Sequence, residues 1–97
     1  MADDRLIQQV WEKGKIVPGN DPTILRQDDC GAWIMRTEYG NRRSQYGWEI
    51  DHIQPKDNGG SDALSNLRPL QWQNNASKGN SRLGCAVTAS GQNNVSV

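Results

Sequence analysis

The sequence predicts a small single-domain α+β fold: an N-terminal helix, a β-hairpin and a short C-terminal helix. Three observations predict it. An apolar stripe at helical spacing opens the chain, a stretch of period-two alternation lies at its middle, and a glycine-terminated helical segment follows a loop rich in Asn and Gly. The length of 97 residues suits one domain and no more.

Leu6, Ile7, Val10 and Trp11 fall on one face of a helix. Asp3 or Asp4 can cap its start and Gly14 can end it. Residues 16–22 (IVPGNDP) hold two prolines and read as an irregular connection. Residues 32–35 read as a short strand. Tyr46, Trp48 and Ile50 alternate with Gly47, Glu49 and Asp51, which indicates a second strand, and the two are expected to pair as a hairpin. Residues 55–61 (PKDNGGS) form a loop, because Asn-Gly-Gly readily supplies positive φ. Residues 67–70 are a short apolar return in which Pro69 disfavours a central strand. A short helix is expected over residues 71–78, stopped by Gly79. The tail, residues 84–97, is uncharged, small and polar, and is expected to be disordered.

Apolar residues make up 34% of the chain, with four Trp and no Phe. Trp11, Trp33, Trp48 and Trp72 are therefore expected to carry much of the apolar burial. The 11 basic and 11 acidic residues cancel, so long-range electrostatics do not advertise a polyanionic partner. A weak asymmetry remains. Residues 36–82 carry seven basic and five acidic side chains, and residues 1–35 four and six. Cys30 and Cys85 form no CxxC pair, which excludes a four-Cys zinc knuckle within the chain. They are read as two free thiols of a reducing cytoplasm, with a disulfide as the lesser alternative. No secretory signal opens the chain, and no apolar stretch approaches the roughly 20 residues that span a bilayer. A soluble, cytoplasmic protein is expected.

The chemistry-bearing stretch is residues 47–80. Asp51 and His52 are adjacent at a strand end where a long turn begins, and His52 is the chain's one histidine. An imidazole can serve as a general base near neutral pH. Asp51 offers a hard oxygen ligand and Asn75, on the short helix, a neutral carbonyl oxygen. If the helix packs across the hairpin, the three converge, and one metal with one base suffices to activate water against a phosphodiester. Taken singly, His52 would be a surface histidine, Asp51 a turn residue and Asn75 a helix-surface amide. Together in register they favour a site. Glu49 shares the strand face of Asp51 and is read as a salt-bridge partner before a group supporting the site.

These residues resemble the HNH nuclease family. The resemblance rests on Asp51-His52-Ile53, Pro55, the Gly59-Gly60 turn, Asn66-Leu67, and Asn75 followed by Lys78-Gly79. A weaker likeness runs upstream through CGAWI, YGNRRS and YGWEI, as in small bacterial HNH proteins. The resemblance implies a ββα-metal (His-Me finger) domain over residues 1–83, with its motif core at 46–82. It implies that His52 is the general base, that Asp51 and Asn75 hold the metal, and that Asn66 holds the turn and helps orient His52. Asn74 is the alternative register for Asn75. With a single histidine and no zinc cysteines, one Mg²⁺ or Mn²⁺ is expected ahead of Zn²⁺. The implied activity is hydrolysis of DNA, leaving a 5′-phosphate and a 3′-hydroxyl. Backbone contacts in the minor groove would come from Lys78, Arg82, Arg68 and Arg43, with Arg42 a further candidate. The alternative is a catalytically silent HNH-like module that binds nucleic acid within a larger complex.

Overall fold

The computed structural model describes residues 2–97. Helix α1 spans Asp4–Trp11 and is capped by Asp3, whose Oδ1 accepts from the Leu6 N–H at 2.8 Å. Its apolar stripe buries Ile7, Val10 and Trp11. They meet Ile34, Trp48 and Leu67 in one core cluster. The rings of Trp11 and Trp48 lie 5.4 Å apart, and Tyr39 meets Trp48 edge-on at 5.0 Å. Removing either buried indole would cost about 3–5 kcal/mol. Trp33 and Trp72 are only half-buried, so two of the four tryptophans carry the core.

The strand pairing differs from expectation. Strand β1 (Leu25–Gln27) pairs antiparallel with β2 (Trp33–Met35), so residues 32–35 do not pair with the central strand. The reason is local closure. Asp28 Oδ1 accepts from the Cys30 and Ala32 N–H groups, and Gly31 takes a φ of +76°, which folds the chain back at once. Strand β3 (Trp48–His52) instead pairs antiparallel with β4 (Leu67–Gln71), matching Ile50 with Pro69 and Asp51 with Arg68. This sheet has two strands. Strand β4 therefore has one neighbour, the edge situation that a proline requires.

The loop between β3 and β4 turns at Gly59, with φ +87°, and at Gly60, where a Cβ would collide with the Gln54 carbonyl. Helix α2 (Trp72–Lys78) starts directly from β4. Gln71 caps it, its Oε1 accepting from Gln73 N–H and Asn74 N–H, and Gly79 at φ +54° ends it.

The tail is ordered, which corrects the expectation of disorder. Strands β5 (Val87–Ser90) and β6 (Asn93–Ser96) form a hairpin around Gly91. Val87 is buried, and hydrogen bonds do most of the docking. Asn94 exchanges hydrogen bonds with both backbone groups of Trp33, and the Trp33 indole and Tyr46 hydroxyl donate to the Gly91 and Gln92 carbonyls. Cys30 and Cys85 are disulfide-bonded, which overturns the free-thiol reading and removes the basis for expecting a reducing compartment. Among the described residues no helix is long and apolar enough to cross a membrane.

The bond closes a loop across a sequence separation of 55. Loop-closure entropy assigns it roughly 4 kcal/mol. Replacing both cysteines by serine should lower stability by about 2–5 kcal/mol in a urea titration, with amide exchange rising first in residues 87–96.

Candidate active site

Alternation along β3 sends its side chains to two faces. Trp48 and Ile50 go to the core beside α1, while Glu49 and Asp51 face α2. Asp51 is 4% exposed and holds two cations. Arg68 Nε, directly across the ladder, donates to Oδ2 at 2.8 Å, and Lys78 Nζ, from the last turn of α2, lies 3.1 Å from Oδ1. Lys78 also donates to the His52 carbonyl at 3.1 Å, and Arg68 reaches Asp29 at 3.3 Å. Each buried charge is thus compensated, and removing one partner of such a group costs about 3–5 kcal/mol.

His52 is half-buried. Its Nε2 lies 2.8 Å from Asp62 Oδ1, and Lys56 Nζ sits 3.2 Å from Asp62 Oδ2. Hydrogen bonds from the His52 ring and then from Lys56 hold the Asp62 carboxyl below the usual carboxylate range. Asn66 makes no hydrogen bond to the imidazole. It ties the loop, donating to the Gln54 and Ser61 carbonyls and accepting from Gln54 N–H.

Asn74 and Asn75 divide cleanly. Asn74 is fully buried, with its Oδ1 accepting from Ala86 and Val87 N–H groups and its Nδ2 donating to Asp28 Oδ2 and the Val87 carbonyl. Asn75 faces β3 and donates through Nδ2 to Glu49 Oε1 at 2.8 Å. Arg42 grips the same Glu49 with two hydrogen bonds, at 2.7 and 2.9 Å. Arg42, and to a lesser degree Asn75, hold the Glu49 carboxyl below its ordinary value against the opposing effect of burial.

A cleft of about 280 Å³ brings the expected residues together. Asp51, His52 and Asn75 all border it, with Lys56, Asp57 and Lys78. Among the described residues no three His, Cys, Asp or Glu side chains group as a metal centre. The expected pair supplies two oxygen donors. Asn75 Oδ1 accepts no hydrogen bond from the described residues, and Asp51 Oδ1 already supports an ammonium. That donor set fits a hard divalent ion, in competition with Lys78.

Four cations were expected at phosphate. Arg43 and Arg82 are exposed, without a salt-bridge partner among the described residues. Lys78 and Arg68 turn inward, 3% exposed and half-buried respectively, because the Asp51 carboxylate beneath them needs compensation. The sequence reading missed Asp62 and Lys56. Both flank the Gly59-Gly60 turn, and that turn was the available signal that they fold back beside His52.

Hairpin, helix and polar cleft together define a small α+β domain with a carboxylate, an imidazole and an amide gathered at the junction of β3 and α2. The family model described as HNH endonuclease matches residues 36–81, and over that span the chain is similar to that family. Neither the curated proteins nor the solved structures offer a match.

Asn74→Ala should cost about 3 kcal/mol, because it strands several buried partners. Asn75→Ala, on the open side of the same helix, should cost no more than about 1 kcal/mol. Chemical denaturation separates the two. Acid gives a second check. Glu49 and Asp62 have lowered folded values, so their contribution is full above the ordinary carboxylate range and is lost as pH falls through those lowered values. The urea midpoint should therefore decline below roughly pH 4, and less steeply in Glu49→Gln.

Proposed function

We propose that this chain is a divalent-metal-dependent DNA endonuclease with a ββα-metal site, in which β3, β4 and α2 supply the reacting groups. The observation that carries this reading is the common cleft: Asp51, His52 and Asn75, separated by up to 24 positions, border one small volume. The HNH match over residues 36–81 supports a nuclease at the family level.

In this reading His52 takes a proton from water. The water oxygen forms a bond to phosphorus as the bond to the 3′ oxygen breaks; the departing oxygen takes a proton from solvent and His52 returns its own to solvent, leaving a 5′-phosphate and a 3′-hydroxyl. Asp51 and Asn75 would hold one Mg²⁺ or Mn²⁺. When bound, such an ion supplies Lewis-acid stabilisation of the phosphate oxygens. Glu49 fixes the Asn75 amide through Nδ2, which leaves its Oδ1 available as the atom that would bind the ion. Asn66 keeps the loop beside His52 in place. Arg43 and Arg82 are the free charges for backbone contact, which positions a duplex without reading its sequence. Lys78 and Arg68 act through Asp51, whose carboxylate they hold.

Supercoiled plasmid incubated with Mg²⁺ or Mn²⁺ should be nicked by the wild type, and His52→Ala should be slower by a factor on the order of 10²–10⁴. Binding without cleavage in both proteins would instead establish a silent binding module. Lys78→Met removes the competing ammonium. It should bind Mn²⁺ more tightly than wild type in calorimetry without DNA, and Asp51→Asn more weakly.

A further inference from the structure

His52 is the one imidazole of the chain, and only its Nε2 has a hydrogen-bond partner among the described residues. That partner is a carboxylate whose second oxygen is held by Lys56 at 3.2 Å. An ionised carboxylate can only accept, so Nε2 carries the hydrogen and donates. In the neutral ring Nδ1 then keeps its lone pair and stays open. A base that must collect a proton from water needs this division, with one nitrogen tethered and the other unoccupied.

We propose that Asp62 is the positioning residue for His52, its carboxylate fixing the imidazole in the Nε2–H tautomer and presenting Nδ1 as the basic nitrogen. The loop is built to deliver it. Gly59 and Gly60 reverse the chain just before Asp62, and Asn66 grips the carbonyl of its neighbour Ser61. The same Asn66 binds both backbone groups of Gln54, two residues beyond His52. One amide therefore clamps the two chain segments that carry the imidazole and the carboxylate. Asn66 acts on His52 through this clamp, without a hydrogen bond to the ring. Lys56 adds a second hold on the carboxylate, and the low carboxyl value of Asp62 keeps it ionised at neutral pH.

Asp62 is 69% exposed, so water competes for His52 and the effect is smaller than that of a buried orienting carboxylate. Loss of the carboxylate should slow cleavage roughly 10- to 100-fold, part of the full worth of a general base.

The assignment of Nδ1 as the base rests on the nuclease reading. The tethering of the ring does not. A single histidine makes the side-chain ¹⁵N spectrum unambiguous. At a pH where the ring is neutral, wild-type His52 should give one protonated and one unprotonated nitrogen, widely separated in shift. In Asp62→Ala the two resonances should converge toward the tautomer mixture of free imidazole. The kcat for plasmid nicking should fall while KM holds, and Asp62→Glu should recover part of both effects. Unchanged nitrogen shifts in Asp62→Ala overturn the proposal, as does an unchanged kcat alongside converged shifts. If the wild type cuts no DNA in either metal, the nuclease reading fails, and the nitrogen spectra alone decide whether Asp62 tethers His52.

Discussion

The buried carboxylate of Asp28 is the constraint on which the rest of the domain depends. It is 1% exposed and accepts four hydrogen bonds: Cys30 and Ala32 N–H at Oδ1, Gln71 N–H and the Asn74 amide at Oδ2. One group thereby closes the β1–β2 turn, anchors the end of β4 and fixes the first turn of α2. Asn74 extends the same network to the backbone of Ala86 and Val87 in the tail. Such a charge is tolerable inside a protein only when its acceptor sites are filled, as they are here. The rotation of α2 follows. With Asn74 held inward, Asn75 is turned toward β3, and Lys78, three residues on, shares that face.

A small domain with few apolar residues has limited area to bury. This one compensates with polar side chains that bind backbone and with a long-range disulfide. The site inherits that economy. Asp51 sits in a neutral cluster with Arg68, Lys78 and Asp29, so a chain of zero net charge keeps a buried carboxylate at the cleft without a large acidic patch. Arg43 and Arg82 stay exposed and outside the ion pairs, and a polyanion can use such charges locally even though the whole molecule exerts no net pull.

Much of this was legible from short-range patterns. The apolar stripe of α1, its Asp3 cap, the Gly59-Gly60 turn, the edge position of Pro69 and the Gly79 stop all arise from interactions within a few residues. Spacing to Lys78-Gly79 picks out Asn75, which the fold turns toward β3 while it buries Asn74. Other features were not. Strand β1 is three residues of unremarkable composition, and its pairing depends on the Asp28 side chain closing the next turn. The tail hairpin carries little hydrophobic signature, because it buries one apolar side chain, Val87, and is docked chiefly by Asn94 and the disulfide. Lys78 and Arg68 read as surface charges, since nothing local reveals that Asp51 is buried beneath them.

The sequence alone determined which residue types could react and in what order: one imidazole, an adjacent carboxylate, and an amide one helix later. Residue chemistry and local backbone preference are properties of short segments, so they survive without a fold. Tertiary structure decided which charges face inward, which carboxylate the imidazole meets, and where the last residues lie. Those outcomes depend on burial and on contacts between distant segments, and both exist only once the chain has closed on itself.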